Sequence, residues 1–185
     1  MIVTSWNIRG LKSKGKKRYL KERLKKDKPS IMIIQETKMG HQQLVEIMKR
    51  TKLQYEVMAQ DADGTIGCLA IIWNPEEVLF ENWISFPRIF SGIFKLIGSE
   101  EPILISGFYG PHIPREQKSF LKNLQAIRRI LPGTLWIIGG YFSMIRTIGE
   151  KKGGLRRLDQ NMEEFNEMIT EQRLVDIPTT NSVHT

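Results

Sequence analysis

The chain has 185 residues, of which 41% are hydrophobic, and this is the size of one globular domain rather than two. The single cysteine, Cys68, excludes a disulfide framework within the chain and favours a reducing, intracellular compartment. Lysine and arginine outnumber aspartate and glutamate by 28 to 20, and a formal net charge of +8 is typical of proteins with polyanionic partners.

In chain order, short apolar or β-branched runs alternate with longer helical patterns. The runs predict strands at Ile2–Trp6, Ser30–Ile34, Cys68–Trp73, Val78–Ser85, Ile89–Ile97, Ile103–Tyr109 and Leu135–Ile138. The helical periodicity predicts a basic helix within Lys12–Lys28, then helices at His41–Thr51, Arg115–Ile130 and Leu158–Arg173. Because the runs between Cys68 and Tyr109 are separated only by turn-sized gaps, we expect an antiparallel meander within an α/β pattern, and hence a mixed sheet.

The first predicted helix carries much of the charge. Lys12–Lys28 contains ten basic and two acidic residues, with Leu20 and Leu24 as a narrow apolar stripe and Pro29 at its end. Two interpretations stay open: a solvated helix face, or a contact with nucleic-acid phosphates or a nuclear-localisation signal. The candidate nucleic-acid contacts are Arg9, Lys16, Lys17, Lys21 and Lys25. A second basic group follows at Lys151, Lys152, Arg156 and Arg157.

The sequence also bears on location. Its longest uncharged run, Ile130–Ile145, is too short to span a bilayer and contains Pro132, and the N-terminus lacks the layout of a signal peptide. We therefore expect a soluble intracellular protein without a membrane partner, nuclear if the basic segment is a localisation signal.

Polar residues follow several of the predicted buried strands, which is where α/β proteins place their sites. Asn7 and Glu36 each follow such a strand, and Tyr109 ends another. A carboxylate and a carboxamide at neighbouring strand ends form a hard-oxygen pair suited to Mg²⁺. By spacing alone, however, an acid such as Glu36 after a strand is more commonly a helix cap or a salt-bridge partner than a metal ligand, and Asn7 fits an Asx-type turn before Gly10.

Six motifs in this order resemble the endonuclease/exonuclease/phosphatase superfamily, and most closely the endonuclease domain of plant LINE-type (non-LTR) retrotransposons. They are Ser-Trp-Asn-Ile-Arg-Gly-Leu at 5–11, Ile-Gln-Glu-Thr-Lys at 34–38, Asp-Gly-Thr-x-Gly at 63–67, Phe-Tyr-Gly-Pro at 108–111, Ile-Ile-Gly-Gly-x-Phe at 137–142, and Leu-Asp-Gln-x-Met-Glu-Glu-Phe-Asn at 158–166. The resemblance implies a four-layer α/β sandwich of two mixed sheets face to face with helices outside. The implied chemistry is phosphodiester cleavage dependent on Mg²⁺ or Mn²⁺, with DNA as the partner.

The resemblance also implies roles for three residues. Glu36 matches the metal-binding glutamate, Asn7 the asparagine that orients the metal and its water, and Tyr109 the tyrosine that contacts the scissile phosphate. Physical chemistry agrees, because a cation on Glu36 would neutralise charge that develops on a phosphate oxygen, and a phenol could donate a hydrogen bond to it.

The chain departs from the family pattern at its fourth motif. Where the family has Gly-Asp-Phe-Asn, this chain has Tyr141 and Ser143 in place of the aspartate and the asparagine. A phenol stays protonated at neutral pH, so Tyr141 can neither accept a proton from water readily nor supply the missing negative charge. The resemblance therefore implies impaired or lost catalysis.

The family also has a late aspartate and a Ser-Asp-His triplet, which do not occur before Thr185. We therefore expect residues 1–185 to form a single domain of this type that lacks its C-terminal part, with an incomplete second sheet. Three hypotheses follow: a nuclease domain by descent, a catalytically dead basic module that binds nucleic acid, and a non-functional fragment of a mobile element.

Overall fold

The computed structural model describes residues 1–60, 68–150 and 160–177. The strands of this structure are β1 (Val3–Asn7), β2 (Ile31–Gln35), β3 (Glu56–Ala59), β4 (Ala70–Trp73), β5 (Val78–Phe86), β6 (Ile89–Leu96), β7 (Pro102–Tyr109) and β8 (Leu135–Tyr141). The helices are α1 (Lys14–Asp27), α2 (His41–Thr51), α3 (Pro114–Ile130) and α4 (Gln160–Glu171), with a 3₁₀ turn at Ile148–Glu150. The motif at 63–67, the basic group at 151–157 and the first two residues of the 158–166 motif lie outside the described residues.

Helix α1 shows how the sequence signals set an element. The Ser13 hydroxyl caps its N-terminus by accepting a hydrogen bond from the Lys16 backbone N–H. Leu20 and Leu24 are fully buried, as their spacing predicts. At the C-terminus Lys28 adopts a left-handed backbone, with φ of +42°, directly before Pro29. Of the basic side chains of this helix, Lys14, Arg18, Lys25 and Lys26 are exposed, while Lys17 and Lys21 lie half-buried beside the leucine stripe.

Residues 1–143 form one compact unit, built on two four-stranded sheets. The first sheet has the strand order β1-β2-β4-β3, and the second has β5-β6-β7-β8. Each contains one parallel pair, β1 with β2 and β7 with β8, and its other pairs are antiparallel. The prediction of mixed sheets is confirmed.

Four layers of structure make up this unit. The core between the sheets includes Ile33 and Ile71 from the first sheet and Phe94 and Ile105 from the second, all at most 1% exposed. Helices α1 and α2 cover the outer face of the first sheet with a second apolar cluster. Helix α3 lies on the outer face of the second sheet, where Phe120 packs 5.8 Å from Phe108, centroid to centroid. The α/β sandwich that the resemblance implies is therefore observed.

Two details of the prediction need correction. The meander comprises only β5, β6 and β7, because β4 pairs with β2 and β3 in the other sheet. The turn after Trp73 carries the chain from one sheet to the other, and Trp73 and Val78 both contribute to the core between them. Strand β3 was missed because its four residues, Glu56 to Ala59, give too short a pattern to read.

Residues 144–185 form a second compact unit. Its described elements are the 3₁₀ turn and α4, whose buried residues Met162, Phe165 and Met168 recur at helical spacing. The predicted helix at Leu158–Arg173 is thus confirmed over 160–171. That the whole chain forms a single domain stays a prediction.

The longest uncharged run of the sequence is divided among several elements. Residues 130–145 comprise the last residue of α3, strand β8 and the segments that flank it. In the part of the chain that the structure describes, every helix falls short of the length or apolarity that a bilayer crossing requires.

Candidate functional site

The two parallel strand pairs bring four chain segments to one edge of the sandwich. At the carboxyl end of β1, Asn7 is in register with Gln35 of β2. At the carboxyl end of β7, Tyr109 is in register with Tyr141 of β8. The predicted site residues of these strands and the loops that follow them therefore lie together, as the strand-end argument expects.

Two glycines let the sheets approach each other here. A Cβ added to Gly107 would lie 2.6 Å from Cγ2 of Ile33, and one added to Gly139 would lie 2.8 Å from Cδ1 of the same side chain. Ile33 of β2 occupies the space that side chains at these positions of β7 and β8 would need. The glycines thus set the spacing between the sheets beside the site.

Asn7 and Glu36 form a direct side-chain pair. The Asn7 amide nitrogen donates to Oε1 of Glu36 at 2.7 Å, while its Oδ1 accepts from the backbone N–H of Arg9 at 3.1 Å. The second bond is the Asx-type turn that the sequence allowed, so this asparagine both shapes the loop and holds the carboxylate. Backbone hydrogen bonds from Gly10 to Glu36 and from Leu11 to Thr37 continue the pairing beyond the strands.

Glu36 is not a helix cap. Helix α2 begins only at His41, with Gly40 at its N-cap. Glu36 instead adopts a left-handed backbone, with φ of +54°, immediately after β2, and its side chain is half-buried. A non-glycine residue in this region is uncommon and often occurs at functional sites.

Tyr109 extends the pair to a chain of three side chains. Its pKa is raised above the ordinary value by burial first, and then by the Glu36 charge and a hydrogen bond to that carboxylate. The hydroxyl also lies 3.1 Å from Nε2 of His112. Either atom of this pair can be the donor, depending on the histidine tautomer.

His112 was missed as a site residue, since its sequence context predicts only a surface histidine. It is exposed, as expected, yet its ring contacts Tyr109 edge-on with centroids 5.7 Å apart. The signal available in the sequence was its position three residues after Tyr109, in the loop that leaves the same strand end.

Tyr141 and Ser143 occupy different surroundings. Tyr141 is 48% exposed, and its ring centroid lies 6.1 Å from that of Tyr109. The Ser143 hydroxyl donates to the carbonyl of Gly110 at 2.8 Å, and its own carbonyl accepts from Gln117. Of the two substituted positions, 141 therefore faces the candidate site, and 143 ties two loops together.

The residues predicted to contact nucleic acid also differ in their surroundings. The Lys16 ammonium donates to the backbone carbonyls of Ile8 and Arg9, at 2.7 Å each, which leaves one of its three donors for any other partner. Arg9 is exposed, and its guanidinium is near enough to Tyr109 to oppose the rise in that tyrosine's pKa. Lys17 and Lys21 are half-buried along α1, and Lys25 is exposed.

Few oxygen donors for a divalent cation lie at this strand-end site in the described residues. No cluster of three or more histidine, cysteine, aspartate or glutamate side chains placed for a metal occurs within residues 1–60, 68–150 and 160–177. Mg²⁺ often binds proteins through one or two carboxylates and takes its other ligands from phosphate and water. Glu36 supplies one carboxylate, and Asn7 contacts it through nitrogen and has one hydrogen bond on its oxygen, so the metal-ligand roles of both residues stay predictions.

Solved structures of several different proteins have this fold. An endonuclease/exonuclease/phosphatase family protein from Bacteroides thetaiotaomicron is 16% identical with a TM-score of 0.63, over 89% of this chain and 67% of that one. The human Nocturnin catalytic domain is 16% identical with a TM-score of 0.58, over 77% and 63%. D. rerio TDP2 complexed with a single-strand DNA product is 17% identical with a TM-score of 0.57, over 76% and 60%.

These similarities establish the endonuclease/exonuclease/phosphatase fold. This chain spans only 60–65% of the length of the D. rerio TDP2 and human Nocturnin chains it matches. No family model matches the chain, and no curated protein does.

Proposed function

We propose that this chain is a phosphodiesterase domain, descended from the endonuclease of a LINE-type retrotransposon, that still binds nucleic acid but has lost most of its turnover. The observation that carries the proposal is the Asn7–Glu36 hydrogen bond at the strand ends, with Tyr109 near enough for the Glu36 charge to raise its pKa. The motifs around these residues support the retrotransposon descent. The TDP2 structure with single-strand DNA supports nucleic acid as the ligand class of this fold.

The chain's own residues fit phosphate binding. Glu36 is held in place by the Asn7 amide, and the Tyr109 phenol beside it stays protonated at neutral pH. A Mg²⁺ ion on Glu36 would supply charge neutralisation at the phosphate. Arg9, exposed beside Tyr109, adds a fixed positive charge, and α1 adds more, so a polyanion is attracted to this side of the protein.

The loss of turnover follows from position 141. A phenol beside Tyr109 is a poor proton acceptor at neutral pH. Absence of a general base costs on the order of 10² to 10⁴ in rate. Ser143 adds to the loss, because its hydroxyl is committed to the Gly110 carbonyl. Binding depends on other groups and is retained.

The direct test is nicking of supercoiled plasmid in Mg²⁺ or Mn²⁺. We expect the unmodified protein to match a control without protein. The double variant Tyr141→Asp, Ser143→Asn should nick measurably, because an acceptor then lies beside Tyr109. Adding Glu36→Gln to the double variant should abolish the gain, whereas adding Glu46→Gln, an exposed acid on α2, should leave it.

Two outcomes would contradict the proposal. Efficient nicking by the unmodified protein that depends on Glu36 would show that turnover is retained. Failure to bind plasmid or oligonucleotides at low salt would exclude the retained binding and favour a fragment without function.

A further inference from the structure

Tyr109, His112 and Tyr141 form a cluster of three aromatic rings, here called the aromatic cluster, beside Glu36. Their ring centroids are 5.7 Å apart for Tyr109 and His112, 6.1 Å for Tyr109 and Tyr141, and 6.2 Å for His112 and Tyr141. The rings are tilted against one another rather than stacked. No pair is stacked face to face, and Tyr141 is 48% exposed.

The aromatic cluster is also held in place. The Gly110 N–H donates to the Tyr141 carbonyl at 2.6 Å, and the Ser143 hydroxyl donates to the Gly110 carbonyl. The Gln117 side chain donates to carbonyls of both loops, at Pro111 and Ser143. The loop with His112 and the strand end with Tyr141 are thus fixed to each other, which limits the entropy that a ligand must remove on binding.

The charges around the cluster favour one kind of ligand. Arg9 is near enough to Tyr109 to oppose the rise in that tyrosine's pKa, and the nearby acid, Glu36, accepts a hydrogen bond from Asn7. A ring cluster with the 48% exposed Tyr141 and a nearby cation, on a protein of net charge +8, matches a base attached to a phosphate. A paired base has both faces covered within its duplex, so the base that fits is unpaired.

We propose that the aromatic cluster, with Tyr141 as its exposed member, stacks on an unpaired base of a single-stranded nucleic acid whose phosphate lies at Arg9. This inference rests on the proposed function and names its ligand class. In the resembled family an aspartate with a catalytic role stands at position 141. In this chain Tyr141 would bind the ligand instead.

The test compares two oligonucleotides of about 12 nucleotides that carry the same phosphates, oligo(dT) and an abasic strand of equal length. Fluorescence anisotropy should show that the protein binds oligo(dT) more tightly than the abasic strand. Tyr141→Ala should weaken oligo(dT) binding about fivefold or more and leave abasic binding unchanged. Tyr141→Trp should retain the preference, because it keeps a ring at this position.

Controls separate stacking from folding and from phosphate binding. Trp83→Ala removes a similarly exposed ring, 51% exposed, on β5 at the opposite edge of the same sheet, and should bind like the unmodified protein. Thermal melting should show that Tyr141→Ala remains folded.

The possible outcomes are distinct. Equal binding of oligo(dT) and the abasic strand would overturn the stacking role and leave the proposed function standing, whereas absence of binding to either would overturn both. An oligo(U) strand shows whether the sugar of the nucleic acid matters for binding. Tighter binding of strands with bases than of the abasic strand, with either DNA or RNA, supports stacking on the aromatic cluster. In each case Tyr141→Ala must lose this preference.

Discussion

Asn7 and Glu36 are 29 residues apart in the chain, and their side chains meet through a 2.7 Å hydrogen bond from an amide nitrogen to a carboxylate oxygen. The parallel pairing of β1 with β2 makes this contact possible, because it places both strand ends at the same edge. The left-handed backbone of Glu36 then turns its side chain out of the strand. A single carboxylate is thereby fixed in a defined place without an ion pair.

The first prediction concerns the cation at this carboxylate. Glu36→Gln should abolish weak Mn²⁺ binding, because the substitution removes the charge and keeps the shape. Titration followed by electron paramagnetic resonance of free Mn²⁺ measures the affinity. Glu46→Gln is the matched control, since it removes an exposed acid from α2. Equal Mn²⁺ affinity in all three proteins would remove Glu36 from the metal site.

The second prediction concerns the Tyr109 proton. Burial raises the pKa of this phenol, and the Glu36 charge and hydrogen bond raise it further. Glu36→Gln should therefore lower the Tyr109 pKa, though not to that of a free phenol, because the burial remains. NMR titration of tyrosine labelled at the ring carbon that bears the hydroxyl measures the change, with Tyr109→Phe to assign the signal.

The same pKa shift links folding to pH. Since the Tyr109 pKa is higher in the folded than in the unfolded state, its contribution to stability is present below the unfolded value and is lost as pH rises through the folded one. The protein should consequently lose less stability between neutral and alkaline pH when Tyr109 is phenylalanine. An identical alkaline loss in both proteins would contradict the link.

The third prediction concerns α1. Replacing Lys17, Lys21 and Lys25 by glutamine should reduce the salt dependence of DNA binding by about one unit of log–log slope for each phosphate that these lysines neutralise. The matched control replaces Arg115, Lys122 and Arg129 of α3, which lies on the opposite outer face. A slope that falls equally in both triple variants would mean that only net charge matters, and that α1 is a solvated face.

The fourth prediction concerns the close approach of the sheets. Gly107→Ala should cost about 1–3 kcal/mol in unfolding free energy, because its Cβ would meet Cγ2 of Ile33, a side chain with little freedom beside its backbone. That cost corresponds to a few degrees in melting temperature for a protein of this size. Gly15→Ala is the control: a Cβ there meets nothing within 4 Å, and alanine favours the helix.

Local sequence patterns predicted the helices and strands better than they predicted how the strands pair into sheets. Helix α2 has the predicted bounds, and α1 lies within Lys12–Lys28 and ends before Pro29, as predicted. Strand β3 and the sheet to which β4 belongs were not predictable in the same way. Pairing between strands depends on long-range packing, such as the shared core of Trp73 and Val78, that a local pattern does not contain.

In the candidate site, too, local patterns predicted some residues, whereas contacts that depend on the fold were not predicted. The motifs placed Asn7, Glu36 and Tyr109 at strand ends, and the structure brings them together. The sequence predicted only a surface histidine at His112, because its contact with Tyr109 depends on the conformation of the loop after β7. The sequence predicts only a nucleic-acid contact for Lys16, whereas its two bonds to backbone carbonyls follow from where α1 begins relative to β1.

The two hydrogen bonds from Lys16 fix the position of α1 relative to the strand-end site. They join the first turn of α1 to the loop after Asn7, which carries Arg9. The distance between the basic helix and the strand-end site is therefore fixed. On the proposed function, a polynucleotide that contacts α1 would therefore meet Glu36 and Tyr141 at a fixed distance along its strand, set by the Lys16 bonds to the Ile8 and Arg9 carbonyls.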